Sequence, residues 1–148
     1  MDNFDLESGQ VLWLIIRYNN SGDISNVKHP YLVMDINEEF NYIEIAQMDS
    51  LEGKEYKAAY KSNHVILNQK HTESVIEKNV YIQMDNTFRI EKCSEILRFR
   101  RIKSKLSETK RTEAIKKYFT FRENNHISEN KNVFMSKEEI LMLNRPTY

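Results

Sequence analysis

Six consecutive apolar residues, Val11-Leu12-Trp13-Leu14-Ile15-Ile16, follow directly on Gly9 and Gln10. A run that is apolar at odd and even positions alike has no side to offer water if it is extended. The strand Gln10 to Arg17 is therefore predicted to be buried on both faces, or to cross a small barrel. It is far too short to span a bilayer. Either arrangement needs further layers of structure, and 148 residues can supply them as a single domain, 1-148, with a core that requires no covalent staples.

The chain repeats short apolar runs separated by turn chemistry. Asn19-Asn20-Ser21-Gly22-Asp23 reads as a turn, and Pro30 keeps His29 out of helical geometry. The long polar loop Asn19 to Pro30 should therefore end sharply at a second strand, Tyr31 to Ile36. Asn37-Glu38-Glu39 is the expected hairpin turn into a third strand, Tyr42 to Met48, in which Tyr42, Glu44, Ala46 and Met48 alternate with Ile43, Ile45 and Gln47. A polar cluster, Asp49 to Lys54, follows. Glu55 to Lys61 fits either a strand or a short helix. Val65 to Leu67, Val80 to Met84 and Phe88 to Ile90 are predicted strands, with Asp85-Asn86 turning the chain between the last two.

Helical signals then take over. Ser107 is a good N-cap with Glu108 in the first turn, and Ala114, Ile115, Tyr118, Phe119 and Arg122 recur at three- and four-residue spacing, which gives one face to lie on the sheet. Ser136-Lys137-Glu138-Glu139 has capping-box form before Ile140, Leu141 and Leu143. Short strands followed by helices predict an α+β chain: a compact barrel over about 9-92 with helical, basic additions over about 95-148.

Formal net charge is zero but unevenly spread. Between Arg98 and Lys117 stand nine basic residues (Arg98, Arg100, Arg101, Lys103, Lys105, Lys110, Arg111, Lys116, Lys117) against Glu108 and Glu113, so the segment is +7 and the remainder −7. Such a block is either a solvated face or a site for a polyanion; its density and the interleaved Phe99 favour nucleic acid. The single Cys93 excludes an internal disulfide, and the scattered His29, His64, His71 and His126 lack a metal-ligand spacing, so neither metal nor cofactor is expected. Met1 to Gly9 is acidic where a signal peptide would begin basic, which points to a soluble cytoplasmic protein without a membrane partner.

Phosphate-binding glycine loops, dinucleotide turns and paired catalytic Cys and His are missing from the sequence. What remains is chemistry carried by placed polar side chains. RNA brings its own nucleophile, the 2'-hydroxyl, and needs only an acid and base and a cation near the phosphate. His29 suits proton transfer, since imidazole is the side chain that ordinarily titrates nearest neutrality. Lys28 and Lys54 can stabilise developing charge, and Ser50 can donate to a phosphate oxygen. Asn19, Asn20 and Asp23 share the loop before His29, and Asp49 adjoins Ser50. Capping of a turn is the plain alternative for Asp49 and Ser50.

These stretches resemble a known family. Gly9 to Leu14, the polar loop and Lys28-His29-Pro30-Tyr31-Leu32-Val33 look like the opening of the MazF/Kid-like toxin superfamily, and Glu44 to Ser50 is similar to its third strand. Closer still, His29 to Val33, Ile45 to Lys54 and Tyr81 to Asn86 resemble the CptN-like toxins of type III toxin-antitoxin systems. The likeness covers roughly Gly9 to Asn86. It implies an SH3-like barrel, metal-independent cleavage of single-stranded cellular RNA to a 2',3'-cyclic phosphate and a 5'-hydroxyl, and neutralisation by a small, structured, repeat-derived antitoxin RNA within a toxin-RNA hetero-oligomer. Two positions depart from the superfamily pattern: His29 replaces the Arg before Pro, and Asp49 the Thr before Ser. His29 and Ser50 carry over by position, Lys28, Asp49 and Lys54 by proximity. A non-catalytic RNA-binding module and an SH3-like interaction domain, or a type II toxin with a protein antitoxin, remain open as other readings.

Overall fold

The computed structural model describes residues 5-68 and 70-145; the first four residues of the acidic opening lie outside them. The chain is α+β. Its strands are β1 (Val11–Leu14), β2 (His29–Asn37), β3 (Tyr42–Ser50), β4 (Asn63–Ile66), β5 (Val80–Gln83), β6 (Thr87–Glu91) and β7 (Asn132–Met135), and its α-helices are α1 (Glu108–Asn124) and α2 (Lys137–Leu143). Glu55–Ala59, left between strand and helix by the sequence, is a 3-10 turn; Ser94–Phe99 and Glu129–Lys131 are two more.

The sheet runs β1-β2-β3-β5-β4, with β6 also on β3 and β7 on β6. Every pairing is antiparallel except β6 with β7. One edge of β3 serves two neighbours: Tyr42 to Ile45 pair with β6, and Met48 to Ser50 pair with β5. Since β5 and β6 both oppose β3, they run in the same direction, so Asp85-Asn86 is a kink between them rather than a reversal.

Both faces of this sheet are buried, as the unbroken apolar run requires. Leu12, Leu14, Tyr31, Val33, Ile43, Ile45, Phe88 and Ile90 point to one side and pack with Ile96, Phe99, Val133, Met135 and Ile140. Val11, Leu32, Met34, Ala46, Met48 and Ile82 point to the other and pack with Ala114 and Tyr118 of α1. The first side is called here the front and the α1 side the back. The alternation of successive strand side chains produces both cores from the same strands.

Local chemistry sets the ends of these elements. β1 stops at Leu14, and the backbone of Ile15 is met by a side chain instead: its amide donates to Asn144 Oδ1 at 2.7 Å and its carbonyl accepts from Asn144 Nδ2 at 2.9 Å. This leaves no unpaired backbone group where the ladder ends. Ser136 caps α2 as predicted, accepting from the Glu139 amide at 3.2 Å, while the Glu139 carboxylate turns to Arg17. Ser107 occupies the N-cap of α1 without a side-chain cap bond; its amide donates to buried Glu73 at 2.7 Å. β7 was not foreseen, and through it the C-terminal segment joins the sheet instead of standing beside a separate barrel.

Gly9 is held at φ +92°, its amide donating to Val33 and its carbonyl accepting from Leu106 at 3.0 Å. A Cβ there would lie 2.9 Å from Arg111 Cδ. Gly9→Ala is expected to cost about 1–3 kcal/mol, chiefly from forcing an L side chain into left-handed backbone. A urea midpoint equal to wild type would show that the backbone relaxes out of that conformation.

Candidate active site

Asp49 and Ser50, read from sequence as part of a loop, are the last two residues of β3 and lie in its ladder with β5, opposite Tyr81 and Val80. His29 is likewise the first residue of a strand, opposite Leu14. The loop reading fails because β2 and β3 each extend into the polar residues. Being strand residues, their side chains alternate. Tyr31 pairs with Gln47, so His29, Tyr31, Gln47 and Asp49 share the front, while Pro30, Met48 and Ser50 share the back. The β2–β3 ladder ends at Tyr31 and Gln47, and His29 and Asp49 are the next residues of the same face on the two strands.

The clefts follow this division. His29, Tyr31 and Gln47 line a front cleft of about 410 Å³ together with Tyr18 and with Ile24 and Val27 of the polar loop. Asp49, Ser50 and Pro30 line a back cleft of about 290 Å³ with Trp13 and Arg101, whose guanidinium stacks 3.7 Å from the centre of the Trp13 ring. Strand alternation thus gives His29 and Asp49 one face and Ser50 the other, while Asp49, at the strand end, also borders the back cleft.

On the front, Asp49 is held in place. Its Oδ2 accepts from Gln83 Nε2 at 2.8 Å and from Gln47 Nε2 at 3.5 Å. Tyr81 stands opposite Asp49, and burial, followed by the Asp49 charge, raises its phenol pKa, so it remains a protonated donor. Burial, followed by Asp49, raises that of Tyr31 as well. Lys57 of the 3-10 turn reaches over the Tyr81 ring, its Nζ 5.8 Å from the centroid. Gln47, Lys57, Tyr81 and Gln83 were not among the residues picked out by sequence reasoning. Period two from Asp49 was the signal for Gln47, but nothing in the sequence announces the pairing of β3 with β5.

The remaining predicted residues divide into those with structural partners and those without. Asn19 exchanges hydrogen bonds with Asp23, and Asn20 donates to the carbonyls of Glu129 and Asn132 while accepting from Arg17, so both hold the polar loop in shape. Arg100, its side chain 7% exposed, faces Asp5 and Gln10. Arg111 binds Glu108 and Ser8, and Lys105 binds Glu7. Among the described residues, Lys28, Lys54, Arg98, Lys103, Lys110, Lys116 and Lys117 carry no ion pair. The basic segment is therefore not one uniform stripe. Its helical part, α1, packs on the back of the sheet, away from His29. His64 lies there too, 3.8 Å from Glu113, with its pKa lowered chiefly by burial.

Among the described residues, no three His, Cys, Asp or Glu side chains are grouped to hold a metal ion, and no helix is long and apolar enough to cross a membrane. No protein-family model matches the chain, and comparison with curated proteins finds no match.

Proposed function

We propose that this protein is an endoribonuclease of the MazF/Kid-like kind, its sheet a variant of the SH3-like barrel of that superfamily. More particularly, we propose that it is the toxin of a type III toxin-antitoxin system, similar to the CptN-like toxins, acting in the cytoplasm and neutralised by a small structured RNA. The observation that carries the reading is that strand alternation gives His29 and Asp49 the same sheet face, where His29, Tyr31 and Gln47 line an open cleft and Gln47 and Gln83 fix the Asp49 carboxylate.

The chemistry follows from those groups. One member of the His29–Asp49 pair takes the proton of a ribose 2'-hydroxyl as its oxygen attacks phosphorus. The P–O5' bond breaks, and the other member gives a proton to the leaving oxygen. Charge on the phosphoryl oxygens is met by Lys57, which reaches over the Tyr81 ring, and by Lys28 and Lys54, close in sequence to His29 and Ser50. The products are a 2',3'-cyclic phosphate and a 5'-hydroxyl. Because α1 and Arg101 lie on the back, an antitoxin RNA held by Arg101, Lys110, Lys116 and Lys117 occupies a surface distinct from the cleavage face, and each phosphate contact makes its affinity salt-dependent.

Incubation of the purified chain with single-stranded RNA in EDTA is expected to yield fragments ending in cyclic phosphate, and a 2'-deoxy substitution at the cut position should abolish that cut. Loss of cleavage on chelation, restored by a divalent ion, would rule out the mechanism. Affinity for RNA without any product would leave a binding module, the reading that the separate basic back face favours.

A further inference from the structure

The polar front face continues past Asp49 onto an element for which the cleavage chemistry needs only one lysine. The 3-10 turn Glu55–Ala59 is fixed to β4: Asn63 Nδ2 donates to the Lys57 carbonyl and the Asn63 amide to the Tyr60 carbonyl, each at 3.0 Å. This anchoring presents Tyr56 and Tyr60 outward, 62% and 51% exposed, with ring centroids 6.2 Å apart in edge-to-face contact. Paired tyrosine rings open to solvent on a fixed turn are preordered faces for planar ligands, and sequence-tolerant recognition of single strands uses such faces beside a cation. The cation is Lys57, which lies between the two tyrosines in sequence and reaches back over Tyr81.

A second observation points to the same place. The Tyr81 hydroxyl is buried without a partner in good hydrogen-bond geometry, and the polar groups that act on it are Lys57 and Asp49, the latter directly opposite in the ladder. Buried hydroxyls almost always find a well-aligned partner, so one held this loosely is suited to a group that arrives with the ligand. Lys57 is its cover, and movement of that flexible side chain toward a phosphate would open the hydroxyl to the same ligand.

We propose that Tyr56, Lys57, Tyr60 and Tyr81 form a nucleotide subsite for single-stranded RNA adjoining the cleaved position. Bases stack on Tyr56 and Tyr60, Lys57 meets a backbone phosphate, and the Tyr81 hydroxyl donates to the same nucleotide. The proposal rests on the nuclease reading and adds where the flanking strand lies.

The test is fluorescence anisotropy of the full chain with a short 2'-O-methyl RNA, which binds but offers no nucleophile. The variant Tyr56→Ala/Tyr60→Ala should weaken binding about tenfold or more, whereas Tyr56→Phe/Tyr60→Phe, which keeps both ring faces, should stay within about threefold of wild type. Lys57→Gln should flatten the salt dependence by about one phosphate contact. Tyr81→Phe should weaken binding severalfold without lowering the melting temperature, a combination that a purely structural tyrosine would not give. A wild-type chain that cuts RNA while the alanine pair binds within twofold overturns the subsite and leaves the nuclease reading standing. A wild-type chain that neither binds the analogue nor cuts RNA overturns both.

Discussion

Replacing His29 with alanine is expected to reduce RNA cleavage by about 10²–10⁴-fold, the usual contribution of a positioned acid or base, with the melting temperature close to wild type. The imidazole is part-buried at the rim of the front cleft, where its removal leaves the buried core intact. Asp49→Asn should fall into the same range, because the amide keeps the shape but can no longer carry a proton. Ser50→Ala should behave differently: its hydroxyl faces the back cleft with Trp13 and Arg101, and cleavage should remain within about threefold of wild type. Single-turnover rates on one RNA at saturating protein separate these outcomes from changes in affinity. Equal loss in Ser50→Ala and His29→Ala would mean that the working site spans the strand end rather than one face. Wild-type rates in both His29→Ala and Asp49→Asn would remove the proposed catalytic pair.

That contrast also shows where the sequence was legible. The unbroken run in β1 announced a sheet covered on both sides, and the two cores on either side of β1 and β2 have the form it required. Helix α1 was visible in the spacing of Ala114 and Tyr118, which are its buried residues. β7 was hidden because four residues, only two of them buried, sit in a polar, Asn-rich stretch and pair in parallel with a strand far away in sequence. Local pattern carries no information about such a partner.

The site was half legible for the same reason. His29 and Asp49 stand out as polar residues beside apolar strands, but whether Asp49 or Ser50 joins His29 depends on register, which turns on one residue. Gln83 is brought to Asp49 only by the β3–β5 ladder. The basic block was plain in the sequence, yet charge counting cannot tell Arg100, buried against Asp5 and Gln10, from Lys117, exposed on α1. A residue with a partner is removed from the ligand-binding surface, and partners are a property of the fold.

Glu44→Ala is expected to be the most damaging single change to stability, at about 3–5 kcal/mol, because it leaves cations without their carboxylate inside the protein. Glu44 lies in the middle of β3 with its side chain 2% exposed. Its Oε1 accepts from Arg89 Nε at 2.9 Å, and its Oε2 binds Arg122 of α1. Arg122 is the one charged residue on the helix face that sequence spacing assigned to the sheet. Its guanidinium lies 5.3 Å from the centre of the Tyr118 ring, and Arg89 lies 4.8 Å from that of Tyr42, so aromatic faces surround both cations. Burial, followed by the Glu44 charge, keeps the Tyr118 phenol protonated. Removal of Glu44 strands Arg122, 17% exposed, between the back of the sheet and α1. Removal of the whole cluster should be far milder: Glu44→Leu with Arg89→Met and Arg122→Leu replaces charge by apolar volume, a substitution that is often neutral or stabilising. Chemical denaturation of the single and triple variants is the measurement. A triple variant as unstable as Glu44→Ala would mean that packing volume, rather than the stranded charge, accounts for the loss, and a single variant within about 1 kcal/mol of wild type would mean that water reaches both arginines once the carboxylate is gone.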